Sequence, residues 1–375
     1  MKIFDVYPLY KVTPVSARGI TITDDQGIEY LDFYGGHAVI SIGHSHPTYV
    51  KRLKSQLDKM GFYSNSVANP LQASLAAKLT KMAHCEQYQL FLCNSGAEAN
   101  ENALKLASFH TGKSRVIAFH NSFHGRTSAA VAVTDNPKIN APLNSQHQVT
   151  FLDFDDQESL KTELSKGDVC AVILEAIQGV GGLDQPSPSF YHFLADCCKK
   201  YNVMLIADEV QSGFGRSGNF FAFQHYKVEP DIISMAKGMG NGFPVGGILI
   251  HEKIKASFGI LGTTFGGNHL ACTAVLAVLE VMESENLIAN AAALESYFRE
   301  EAARISQVKR VKGRGLMLGL EFDFKVASLR EKLIYDYHIF TGGAKDKFVL
   351  RILPSLGLTL DELHKFFVAL KAALS

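Results

Sequence analysis

The feature that most constrains this fold is a series of short, uninterrupted apolar runs, at 89–93, 115–119, 149–152, 171–174, 203–207 and 231–235, most of them separated by helix-length stretches. Strands that are apolar along their whole length have no face to present to water. The pattern therefore predicts an α/β fold with a large, mostly parallel sheet covered by helices on both sides. Most of the runs also end in polar or glycine-rich chemistry: Cys93 is followed by Asn94-Ser95-Gly96, Leu174 by Glu175, Ala207 by Asp208-Glu209 and Ala236 by Lys237. Open α/β sheets bind ligands outside the carboxyl ends of their strands, so these groups are expected to converge on one crevice.

The flanks read differently. A β-like opening over 19–33 contains an Asp25-Gln26-Gly27 turn signal, and the segment after about 270 reads as one long helix, 270–306, followed by mixed strand and helix. At 375 residues the chain is long for a single core. The expected division is a large domain over 46–270 and a small α+β domain assembled from both ends, 1–45 and 271–375.

Charge excludes several function classes. Lys+Arg and Asp+Glu are equal at 37 each, and no basic stripe is long enough to follow a row of phosphates, which argues against a nucleic-acid partner. The densest basic cluster, 309–314, is short and interrupted and reads as a solvated surface. The 6 cysteines form no CxxC pair, no window has the length and apolarity of a membrane span, and the N-terminal residues do not resemble a signal peptide. A reduced, cytoplasmic enzyme without a membrane partner is expected. Gly43-His-Ser-His-Pro47 lacks further ligands at metal spacing, and Gly238-Met-Gly-Asn-Gly-Phe243 does not follow the first strand of a βαβ unit as a dinucleotide loop would.

Lys237 closes an apolar run with no acid nearby in sequence, so it is either a tolerated edge residue or an amine held for chemistry. Asp208 follows a wholly apolar strand and needs a cation or several hydrogen bonds to stay ionised, unless it merely caps the next turn. Ser95 and Gly96 sit where a strand turns into a helix, which is either an ordinary cap or a phosphate site made by unpaired N–H groups. The three together match what pyridoxal phosphate requires: a Schiff-base lysine, an anion for the pyridinium nitrogen and a grip on the phosphate. Phe123 could stack on a flat cofactor, and Arg126 could hold a carboxylate in bidentate fashion. Arg351, in an apolar stretch, needs an anion, for which a substrate carboxylate and Glu175 are the candidates.

Segments spread along nearly the whole chain resemble the class III, ornithine-type aminotransferases of fold-type I, the acetylornithine and succinylornithine group most of all. They include Asn94-Ser-Gly-Ala-Glu-Ala-Asn100, Phe123-His-Gly-Arg-Thr127, Glu175-Ala-Ile-Gln-Gly179, Ala207-Asp-Glu-Val-Gln-Ser-Gly-Phe-Gly-Arg-Ser-Gly218, Ala236-Lys-Gly238 and Thr263-Thr-Phe-Gly-Gly-Asn268. The resemblance implies that Lys237 carries the cofactor and shuttles protons, and that Asp208 keeps the ring nitrogen protonated. Gln211 would contact the ring hydroxyl, Phe123 would stack on the ring, and Ser95, Gly96 and Ala97 would bind the phosphate. Thr264 would complete the phosphate site of a neighbouring subunit, which implies a homodimer with shared sites.

The same resemblance assigns Arg126 to the α-carboxylate of an acylated ornithine or the γ-carboxylate of glutamate. Arg351 would take the α-carboxylate of glutamate or 2-oxoglutarate, with Glu175 neutralising it in the other half-reaction. Ornithine enzymes that take a free α-amine carry a tyrosine near the position of Gly36, which Tyr34-Gly-Gly-His37 does not supply there. That points to an N-acylated ornithine and a role in arginine biosynthesis, with the acyl group left open between acetyl and succinyl. The alternatives are another ω-aminotransferase, acting on ornithine, 4-aminobutyrate or an N-acyl-diaminopimelate, and a non-catalytic pyridoxal-phosphate-binding regulator.

Overall fold

The computed structural model describes residues 3–375. All six apolar runs become strands of one seven-stranded sheet. Its order is Tyr88–Cys93, Gly246–His251, Ile232–Met235, Met204–Asp208, Val169–Leu174, Arg115–Phe119, Val149–Leu152. Every neighbouring pair is parallel except those made by Gly246–His251, which runs antiparallel to both of its neighbours. That seventh strand was not anticipated, because it opens on Gly246-Gly247 and so reads as a continuation of the glycine-rich loop after Lys237.

Strands Val169–Leu174, Met204–Asp208 and Ile232–Met235 are buried at every residue, as two-sided helical cover requires. The helix Gly96–Thr111 lies on one face and buries Ala99, Ala103, Leu104, Leu106 and Ala107. Burial of each leucine there stabilises the packing by roughly 2 kcal/mol. Ser95 begins this helix in extended conformation, its hydroxyl oxygen accepting the Glu98 N–H at 3.1 Å. Such a cap contributes about 1 kcal/mol and holds the end of strand Tyr88–Cys93 in register with the helix start.

The termini meet in a separate four-stranded sheet. Pro14–Arg18, Thr21–Asp24 and Glu29–Asp32 form antiparallel pairs around the expected turn, and Ile339–Phe340 adds parallel to Glu29–Asp32. A third sheet joins Arg310–Arg314, Met317–Glu321, Val349–Ile352 and Gly342–Gly343. His44 and His46 serve as tethers in this region, the first bonded to Asp32 at 2.9 Å and the second to Glu285 at 2.9 Å.

Two expectations are corrected. The single helix over 270–306 is two helices, His269–Ser284 and Leu287–Ala303, because Asn286 adopts a left-handed conformation (φ 52°) that an α-helix cannot pass through. Asparagine tolerates that geometry, and hydrophobic periodicity on both sides hides the break. The 309–314 cluster is also not wholly solvated: it contains strand Arg310–Arg314, in which Lys312 is buried and paired with Asp184 at 2.7 Å.

Candidate active site

Lys237 stands just past the end of strand Ile232–Met235, at a backbone angle φ of 47°. A side chain other than glycine pays a steric cost in that region, so its surroundings impose the geometry. Burial pushes its ammonium pKa down from the ordinary value, and the nearby Arg351 acts in the same direction, while Asp208 and Glu175 oppose them. An amine with a lowered pKa is more available as a nucleophile near neutral pH.

Asp208 ends the neighbouring strand and is buried. Its Oδ2 lies 2.7 Å from His124 Nδ1 and accepts Asn100 Nδ2 at 2.8 Å, and its Oδ1 accepts the Val210 N–H at 3.0 Å. These three contacts fix the orientation of the buried carboxyl. Asn100 also donates to the His124 carbonyl at 2.7 Å, so one side chain locks both partners. Asn100 and the role of His124 were missed in the sequence. The available signal was an asparagine on the apolar face of an alanine-rich helix, where a buried amide requires partners.

Ser95, Gly96, Ala97, Phe123, Arg126, Asp208 and Lys237 line a single cavity of about 390 Å³. The first-turn N–H groups of Gly96 and Ala97 have no intrahelical acceptor and lie at the positive end of the helix dipole. The Arg126 guanidinium sits 6.0 Å from the Phe123 ring centre. A group with an aldehyde, a protonatable ring nitrogen and a phosphate fits this donor set: amine, hydrogen-bonded carboxylate and helix start supply one partner for each. His124 Nε2 is buried without a hydrogen-bond partner, so the ring contributes only its Nδ1 edge, toward Asp208.

A second cavity of about 440 Å³ shares Phe123 with the first and contains Arg351. Arg351 is buried, and burial pushes its pKa down. Its Nε donates to the Gly343 carbonyl at 2.6 Å, and its Nη1 donates to the Gly179 carbonyl at 2.8 Å and to Gln211 Oε1 at 3.3 Å. Gln211 Nε2 donates in turn to the His37 carbonyl at 3.2 Å. Glu175 is bonded not to Arg351 but to the N–H groups of Phe123 at 3.0 Å and Gly179 at 2.8 Å. Burial pushes its carboxyl pKa up, with His124 pulling the other way.

Thr264 lies outside both cavities, exposed on the turn before helix His269–Ser284. Next to it Phe265 is exposed, and its ring lies 5.5 Å from that of Phe62, also partly exposed.

Residues 6–374 match the family described as aminotransferase class-III. The chain is 39% identical to the acetylornithine aminotransferase of Bacillus subtilis, over 100% of this chain and 97% of the relative. It is 37% identical to the succinylornithine transaminase of Photorhabdus laumondii, over 97% and 94% of the two chains. Among solved structures, the ornithine aminotransferase of Toxoplasma gondii superposes with a TM-score of 0.90 at 28% identity, covering 98% of this chain and 91% of that one. A match over almost the entire length, on a sheet whose strand ends carry Lys237 and Asp208, makes this chain a member of the class-III aminotransferases, the pyridoxal-phosphate-dependent transaminases of fold-type I.

Proposed function

We propose that the chain transfers the δ-amino group of an N-acylated L-ornithine, acetyl or succinyl, to 2-oxoglutarate. The products are the corresponding N-acyl-glutamate semialdehyde and glutamate, a step of arginine biosynthesis. The observation that carries this reading is the pair of guanidinia at the two cavities: Arg126 beside Phe123, and Arg351 buried against Gln211. Two half-reactions with different substrates need carboxylate anchors of different character, and these two arginines differ in burial and in partners. The names of the relatives support the substrate class.

Bound pyridoxal phosphate supplies the aldehyde that takes the substrate amine and a ring that accepts the electron pair released at the substrate carbon. Lys237 Nζ holds the cofactor and moves the proton at the substrate carbon. Asp208, oriented by His124, Asn100 and the Val210 N–H, would be the carboxyl partner of the ring nitrogen. Phe123 would face the ring, Ser95, Gly96 and Ala97 would hold the phosphate, and Gln211, bonded to Arg351 outside that cavity lining, would be the partner for the ring hydroxyl. Arg126 binds the α-carboxylate of the acylornithine or the γ-carboxylate of glutamate. Arg351 binds the α-carboxylate of glutamate or 2-oxoglutarate, and in the other half-reaction Glu175 turns toward it from its Gly179 contact.

The same reading makes the working unit a cytoplasmic homodimer, with Thr264 of each chain completing the phosphate site of the other. The exposed Phe62 and Phe265 rings beside Thr264 suit burial between copies. It also divides the chain into a large cofactor domain, 46–270, and a small domain built from 1–45 and 271–375.

The test is spectroscopic. Cofactor-loaded enzyme should lose its visible absorbance on addition of N-acetylornithine or N-succinylornithine and regain it with 2-oxoglutarate. If glutamate bleaches it and neither acylornithine does, the substrate assignment is wrong. If no amine bleaches it, the chain is a binder and not a catalyst.

A further inference from the structure

The second cavity is more positive than one carboxylate anchor explains. Four basic residues line it, Arg330, Lys345, Lys347 and Arg351, against one acid, Asp135. Asp135 is taken by Lys345 at 2.8 Å. The remaining cations are held by neutral groups only: Arg351 by carbonyls and Gln211, Lys347 by the Ala344 carbonyl at 3.3 Å, and Arg330 by the Thr341 carbonyl at 3.2 Å. Arg330 Nε is buried without a hydrogen-bond partner.

Two guanidinia at one cavity repel each other, and Arg330 contributes to the lowered pKa of Arg351. The backbone nevertheless makes room for both. Strand Gly342–Gly343 runs between them: the Gly343 carbonyl accepts Arg351 Nε, while a Cβ on Gly343 would lie 2.7 Å from Arg330 Nη1. Any side chain at 343 would push the Arg330 guanidinium aside. On the opposite side of that strand, Tyr34 packs so closely that a Cβ on Gly342 would meet its ring at 2.8 Å. Tyr34, its hydroxyl bonded to His37, is one of the residues lining the same cavity.

We propose that this cavity is a second anion subsite, in which Arg330 reads a carboxylate at the far end of the acyl group of the amino donor. The preferred donor is then an N-acylornithine whose acyl chain is a dicarboxylic acid monoamide, and an acetyl group, which leaves Arg330 without an anion, is the poorer one. The proposal rests on the N-acylornithine reading and selects within it. Phe123 lines both cavities and has the Arg126 guanidinium 6.0 Å from its ring centre, so the second cavity adjoins the residue beside the α-carboxylate anchor, on the side the acyl chain would take. Arg330 acts on specificity and takes no part in the chemistry at Lys237.

The experiment compares kcat/KM for N-succinylornithine and N-acetylornithine in the wild-type holoenzyme, Arg330→Gln and Arg330→Lys. A guanidinium–carboxylate contact is worth about 10- to 100-fold in binding. The wild type should therefore favour the succinyl donor, and Arg330→Gln should reduce its kcat/KM about 10- to 100-fold more than that of the acetyl donor, through KM and not kcat. Arg330→Lys should recover part of the preference. Equal losses for both donors would make Arg330 a structural contact of the Thr341 carbonyl and overturn the proposal, as would a wild type that prefers N-acetylornithine. If neither acylornithine bleaches the cofactor while glutamate does, the substrate reading beneath the proposal is what fails.

Discussion

Glu175 and Arg351 hold one residue, Gly179, from two sides: Glu175 Oε2 accepts its N–H at 2.8 Å and Arg351 Nη1 donates to its carbonyl at 2.8 Å. The carboxyl and the guanidinium are thus set near each other without a bond between them, each bonded to neutral backbone. Either can change partner without leaving the other bare in a buried site. This is the arrangement needed by an anchor that takes a substrate carboxylate in one half-reaction and must be neutralised in the other.

Gly179 is sterically confined, because a Cβ there would lie 2.0 Å from Gln211 Oε1. Gly179→Ala should displace Gln211 and loosen Arg351, raising KM for 2-oxoglutarate roughly 10- to 100-fold. Stopped-flow titration of each half-reaction checks this. The half-reaction with the acylornithine should be affected less.

Lys237→Ala should abolish multiple-turnover transamination, with a loss of at least about 10³-fold. Borohydride reduction of the loaded wild type followed by peptide mass analysis should find a phosphopyridoxyl group on Lys237. Finding it on another lysine would remove Lys237 from its role.

The clamp on Asp208 predicts a graded series. Asp208→Asn should lower kcat about 10²- to 10³-fold by removing the charge itself. Asn100→Ala removes one donor to Asp208 at 2.8 Å and its bond to the His124 carbonyl, but keeps the carboxyl itself and its Val210 contact, so a loss nearer 10-fold is expected. Steady-state kinetics at saturating cofactor separates these chemical losses from weaker cofactor binding.

Subunit sharing predicts complementation. Thr264→Ala should weaken cofactor affinity roughly 10-fold if a hydroxyl donor to the phosphate is lost. A mixed dimer of Thr264→Ala and Lys237→Ala chains should then hold one site with both residues intact, and cofactor titration should show that site binding as tightly as the wild type. Two equally weak sites in the mixed dimer would mean that Thr264 does not serve a neighbour.

Glu209, next to Asp208, gives a pH prediction. It is buried, and burial pushes its pKa from 4.5 up to about 7, against hydrogen bonds from Ala222, Phe223 and Ser212. The unfolded chain releases this proton near 4.5 and the folded protein near 7. The destabilising contribution is therefore absent at low pH, grows through that window and is complete above it, amounting to about 3 kcal/mol. Urea unfolding of wild type and Glu209→Gln at pH 5 and pH 8 should show the wild type losing more stability than the variant between the two.

Much of this protein was legible in one dimension. Apolar runs report their own burial, so six of the seven central strands, and the polar groups at their ends, followed from residue type alone. Lys237 and Asp208 were visible because a charged side chain directly after a buried strand is out of place unless something meets it. Glycines broke this logic twice: Gly246-Gly247 concealed a strand, and Gly342–Gly343, two residues without side chains, turned out to be a spacer between two guanidinia.

What the tertiary structure alone decided are the relationships across the chain. Asn100 reaching Asp208, Arg351 reaching Gly179 and Arg330 sharing a cavity with Tyr34 join residues 108, 172 and 296 positions apart. Periodicity and composition are local properties, whereas a hydrogen bond depends on distance and direction between groups that only the packed sheet and helices bring together. Sequence therefore determined which polar and charged residues stand where the buried strands end. Packing decided which of them hold one another, and which remain free to hold a ligand.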